Sequence, residues 1–164
     1  MKRTLLLTLA LIAAGCADAE QSETPSDGSE QVTPSASCAA LSDESPLEDV
    51  LLCAEQGYAP AQNDLGFMYA NGEGVPQDDA EAVRWYRLAA EQGNAFSQFN
   101  LGLMYADGEG VPEDIVLAYM WWNLAAAQGH ESAQNNKDIA ESRMTREQIA
   151  EAQRLSREWL AAHR

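Results

Sequence analysis

A unit of 36 residues is written twice in this chain, and no other feature limits the fold as strongly. The first copy, residues 58–93, reads YAPAQNDLGFMYANGEGVPQDDAEAVRWYRLAAEQG. The second, residues 94–129, reads NAFSQFNLGLMYADGEGVPEDIVLAYMWWNLAAAQG. Twenty of the 36 aligned positions are identical, among them Leu65/Leu101, Gly66/Gly102, Tyr69/Tyr105, Pro76/Pro112 and Trp85/Trp121. A period of this length marks stacked supersecondary units. Each is too small to bury its apolar face alone, so the core must continue from one unit to the next.

Each unit reads as two helices. Ala61, Leu65, Met68 and Tyr69 fall at i, i+4, i+7 and i+8, one apolar helical face. The loop Asn71-Gly72-Glu73-Gly74-Val75-Pro76 ends that helix, because Gly72 can turn left-handed and Pro76 cannot continue it. Asp78 suits the N-cap of the second helix, whose stripe is Ala82, Trp85, Tyr86, Ala89 and Ala90. Gly66 and the alanine pair are small enough to let helix axes approach closely.

The pattern A-x-x-x-LG-x-x-Y-x-x-G-x-GV, followed by A-x-x-W-x-x-x-AA-x-x-G, resembles the Sel-one-like repeat, a cousin of the tetratricopeptide repeat. Ser97 replaces the opening alanine in the second copy. The resemblance implies an all-α fold, a right-handed solenoid of antiparallel helix pairs. It also implies a scaffold for protein–protein contacts and carries over no catalytic residue. The solenoid is expected over residues 41–164: a half repeat at 41–57, repeats at 58–93 and 94–129, and a C-terminal cap at 130–164. In the half repeat, Cys53-Ala54-Glu55-Gln56-Gly57 aligns with Ala89-Ala90-Glu91-Gln92-Gly93. In the cap, a third first-helix is expected near residues 132–143, then a long capping helix opened by Thr145 and Gln148 as a capping box. Its apolar stripe is Ile149, Ala152, Leu155, Ser156, Trp159 and Leu160.

The second helix of copy two is apolar almost all round, from Ile115 through Met120, Trp121 and Trp122. Such a helix must be covered. The third first-helix and the capping helix are expected to cover its two sides; an exposed aromatic ligand patch is the alternative. Phe96, Phe99 and Leu103 read as a second packing stripe on their own helix.

Residues 1–15 read as a secretory leader, with basic Lys2 and Arg3 before a short apolar run. Two exits fit. Ala13-Ala14-Gly15-Cys16 resembles a bacterial lipobox, which makes Cys16 the lipid attachment residue; Ala17-Asp18-Ala19 is a soluble-protein cleavage site ahead of Glu20. The lipobox is favoured, since a Gly-Cys pair directly follows the apolar run and a low-complexity tether follows it. That resemblance implies an outer-membrane lipoprotein facing the periplasm, with a soluble periplasmic or secreted protein as the alternative. Residues 16–40 are expected to be a disordered acidic tether whose 17–37 portion has an average end-to-end distance of about 25 Å. Cys38 and Cys53 remain as an even pair in an oxidising compartment and are expected to form a disulfide. The plainer alternative is a buried Cys53 and an exposed Cys38 thiol.

Loss of the leader bases leaves eight bases against 26 acids, a net charge of −18. Residues 43–131 hold 16 acids and only Arg84 and Arg87 as bases. Nucleic acid is excluded as a partner by repulsion from phosphate, and membrane contact is expected only through an N-terminal lipid. The expected partner is an envelope protein or peptide, a basic one suiting the acidic surface. No nucleophile, phosphate-loop or zinc-protease motif is present. Asp107, Glu109, Glu113 and Asp114 cluster without the spacing of a calcium loop. No catalytic residue, cofactor or metal is expected. The rival function is an envelope hydrolase of the β-lactamase-like kind described for cysteine-rich members of the resembled family, but this chain lacks their cysteine pairs.

Overall fold

Helix boundaries fall where the repeated loop chemistry puts them. The structure is a computed structural model, and it describes residues 38–42 and 45–163. A 3-10 turn, Cys38–Ala40, precedes α1 (Leu47–Glu55), the second helix of the half repeat. The two full repeats are α2 (Ala59–Asn71) with α3 (Asp79–Glu91), and α4 (Ala95–Asp107) with α5 (Ile115–Ala127). The cap is α6 (Glu131–Glu141) and α7 (Arg146–Ala162). Among the described residues no strand occurs.

The two copies repeat each other down to their caps. Gly72 and Gly108 end α2 and α4 in the left-handed region, at φ 70° and 72°. The Asp78 carboxylate accepts from the Ala80 and Glu81 amides at 3.0 and 3.1 Å, and Asp114 accepts from Val116 and Leu117 at 2.9 and 3.0 Å. Each satisfies two of the amides that a helix start leaves without partners. Thr145 and Gln148 close the expected capping box on α7.

Helices pack mainly on their sequence neighbours, as a solenoid requires, and α7 turns back to lie on α5. The core runs through the repeats in three linked groups. Cys38, Val50, Leu65 and Trp85 fill the first; Tyr86, Leu101, Met104, Trp121 and Leu124 the middle; Tyr119, Trp122, Ala133, Ala140 and Ala152 the last. Close approach depends on glycine: a Cβ on Gly66 would lie 2.7 Å from the Tyr86 ring. The Trp122 indole covers Gly102 in the same way and donates to the Phe99 carbonyl at 3.2 Å.

The apolar α5 is covered as expected, with α4 and α6 packed on it and α7 across it. Three details differ from the sequence reading. Phe96 is 65% exposed, because the first turn of α4 meets only the edge of the His130 ring, 5.3 Å away. Leu160 is 41% exposed at the rim of a hollow beyond the end of α5, while Ala152 and Ser156 make the buried contact. The folded part includes Cys38–Ala40, which the sequence reading placed in the tether; Cys38 is 1% exposed. Its sulfur is bonded to that of Cys53, with Cα atoms 5.5 Å apart.

Candidate interaction surface

The first helices α2, α4 and α6 carry a ladder in repeat register. Phe67, Leu103 and Ile139 are 36 residues apart, so each occupies the same turn of successive stacked helices. Phe67 is 47% exposed, Ile139 53%, and Leu103 between them half-buried. The Ser97 hydroxyl donates to the Asn63 Oδ1 at 2.9 Å and ties α4 to α2. Leu103 and Ile139 line one hollow together, so the register that the sequence repeats brings these two side chains to a shared surface.

Two hollows open along this ladder. One, of about 500 Å³, is lined by Asn63, Asp64, Phe67, Met68 and Glu73. The other, of about 420 Å³, is lined by Leu103, Asp107, Glu113, Trp122, Ile139 and Arg143. Carboxylates outnumber bases at both. The only two bases of residues 43–131 are occupied elsewhere: Arg84 pairs with Glu81 at 2.9 Å and lies over the Trp85 ring, and Arg87 donates to the Tyr105 hydroxyl at 2.7 Å. Neither of these two arginines lines either hollow.

A second arrangement escaped the sequence reading. Gln62 and Gln98, 36 residues apart, are buried, and their amides donate to the Ala54 and Ala90 carbonyls at 3.1 and 3.2 Å. Gln92 and Gln128 donate in turn to the Gln62 and Gln98 side-chain oxygens at 2.7 and 2.8 Å. Each glutamine pair bridges successive units. The signal was available, since all four are identical between copies, but a polar residue at a helical position reads by default as exposed.

Of the residues singled out for chemistry, Cys38 and Cys53 are brought together. Cys16 lies outside the described residues. His130 caps α6, its Nδ1 accepting from the Ala133 amide at 3.3 Å, and stacks on Phe99 at 4.6 Å. His163 stacks on Trp159 at 4.1 Å. Among the described residues no group of three or more His, Cys, Asp or Glu is placed to hold a metal ion, and no helix is long and apolar enough to cross a membrane.

A family model for the Sel1 repeat matches residues 59–94 and 95–130. The chain is 41% identical to a solved Sel1 repeat protein from Oxalobacter formigenes, with a TM-score of 0.55, over 56% of this chain and 69% of that one. The chain belongs to the Sel1 repeat family. It is also similar to a protective antigen present in uropathogenic Escherichia coli strains that displays an SLR fold, at 34% identity and a TM-score of 0.68. That likeness covers 70% of this chain but only 25% of the antigen, so the chain spans a quarter of that protein's length. A comparison with curated proteins gives no match. Sel1 repeat proteins typically mediate contacts between proteins and are generally scaffolds without catalysis.

Proposed function

We propose that this Sel1 repeat protein is an exported scaffold, anchored to the outer membrane through a lipid on Cys16, that holds a basic segment of an envelope protein against Phe67, Leu103 and Ile139. The ladder carries the binding part of this reading. A single exposed apolar side chain is ordinary on any protein surface. Three on equivalent turns of stacked helices make a ladder, and Asp64, Glu73, Asp107 and Glu113 beside it favour a partner with apolar anchors between bases. The leader, the lipobox-like Cys16 and a disulfide suited to an oxidising compartment support export.

The binding part is tested with photo-crosslinking residues at positions 67 and 139, compared with position 158 on α7, in intact cells. A basic protein joined from the first two positions and not from the third is expected. Equal joining from all three positions removes the ladder from the reading. The anchor is tested by detergent partition: Cys16→Ser should move the protein to the aqueous phase or stall it. An intact N-terminus at Glu20 rejects the anchor and supports the soluble form. Nitrocefin turnover that one substitution abolishes would replace the scaffold with the hydrolase.

A further inference from the structure

The glutamine bridges have a direction imposed by the backbone. A carbonyl only accepts, so at Ala54 and Ala90 the facing atoms must be the amide nitrogens of Gln62 and Gln98. Their side-chain oxygens then face the next glutamines and can only accept, so Gln92 and Gln128 must present nitrogen to them. Gln92 uses its amide nitrogen again toward the Leu88 carbonyl at 3.3 Å. At Gln92, whose nitrogen is used twice, the bridge ends in a side-chain oxygen that only accepts; at Gln128 it ends in that oxygen together with the second hydrogen of the amide nitrogen.

Both terminal glutamines line one hollow of about 460 Å³, where the C-terminal ends of α3 and α5 meet the last turn of α7. Glu91 lines the same hollow, with Leu124, Trp159 and Leu160 as its apolar walls. His163 lines it too. Its Nδ1 is 2.8 Å from the Trp159 carbonyl, so that nitrogen carries a hydrogen and donates to it. Two helix C-termini add the negative ends of their dipoles. Acceptors, a carboxylate and helix C-termini converge on an apolar pocket. An anion would meet repulsion there, and a purely apolar group would leave the acceptors without partners.

We propose that this hollow is a recognition site for an arginine side chain on a basic partner protein. The guanidinium has five donors in a fixed plane, no acceptor and a permanent charge, which matches oxygens approaching from several sides. Its aliphatic stem would lie on Leu124 and Leu160. The site is separate from the first-helix ladder and goes beyond the function proposed above.

The test is an NMR titration of the full-length protein with a capped peptide, Gly-Ser-Gly-Arg-Gly-Ser-Gly, and with the same peptide carrying neutral citrulline in place of arginine. Saturable shifts are expected at the Trp159 indole and the Gln128 side-chain amide, with affinity at least about tenfold weaker for citrulline. Glu91→Lys should weaken the arginine peptide by a similar factor while keeping the fold, since a cation suits the last turn of α3. Leu160→Lys, at an exposed position, supplies the same comparison should Glu91→Lys fail to fold. Equal affinity for the two peptides overturns the site, as does the absence of saturable shifts up to about 10 mM. Shifts confined to Phe67, Leu103 and Ile139 overturn it while leaving the ladder standing.

Discussion

Gly66 and Gly102 show how a single hydrogen in place of a side chain sets the spacing of a repeat. Both lie under an aromatic ring of the paired helix, and the Tyr86 ring leaves no room for a methyl group. Gly66→Ala must push that ring or part α2 from α3, at a cost of about 1–3 kcal/mol. Thermal denaturation should show the loss, and an unchanged melting temperature would mean that the helices separate freely. Burial of Tyr86 pushes its phenol above the ordinary tyrosine range, with Asp64 adding to the effect. The unfolded phenol ionises near its usual pKa of about 10 and the folded one resists, so the unfolded state binds fewer protons above that point. Stability should therefore be unaffected by this group below about pH 10 and fall above it, and Tyr86→Phe should reduce that fall in chemical denaturation.

Among the elements, α7 separates what the pattern revealed from what it did not. Its capping box, length and stripe were all legible in residues 145–160. The 36-residue period likewise located both glycine turns and the aspartate caps, because each needs a particular residue at a particular place. The partner surface of α7 was only partly legible. Helical spacing says which side chains share a face, not how far the opposing helix extends, and α5 ends before it can cover Leu160. Phe96 was misread for the same reason at the start of α4. The ladder was visible only as three separate apolar positions, one of them in the degenerate α6, where Lys137 and Asp138 obscure the register. Trp159 is half-buried against Trp121, with ring centres 6.2 Å apart, so Trp159→Ala should cost about 2 kcal/mol, roughly half the cost for a fully enclosed ring. Removing residues 151–164 should uncover Trp121 and shift tryptophan emission to the red. Emission that stays put would show that α7 is not its cover.

For the whole molecule, contacts between neighbours make stability a property of position along the stack. The helices α3, α4 and α5 have partners on both sides, whereas α6 is packed chiefly on α5. Amide hydrogen exchange should be slowest in α3–α5 and faster in α6, and a uniform rate along the chain would mean that the stack opens as one unit. The acidic surface also sets the behaviour toward partners. Association with a basic protein should slow markedly as salt rises from about 0.01 to 0.15 M, where the screening length falls from about 30 to 8 Å. A rate indifferent to salt would point to apolar contacts alone.

The bond between Cys38 and Cys53 also decides how the fold bears a load. A pull on the chain upstream of Cys38 does not peel the first turn away residue by residue. It crosses the sulfurs and enters at Cys53, inside α1, whose neighbours Val50 and Ala54 are buried. The segment between the two cysteines, which are 15 positions apart, is excluded from extension, which hides about 50 Å of contour length. In an optical trap, reduction should restore that length and lower the force at which the half repeat detaches. The covalent link thus moves the point of mechanical attachment from a fraying end to the interior of a packed helix.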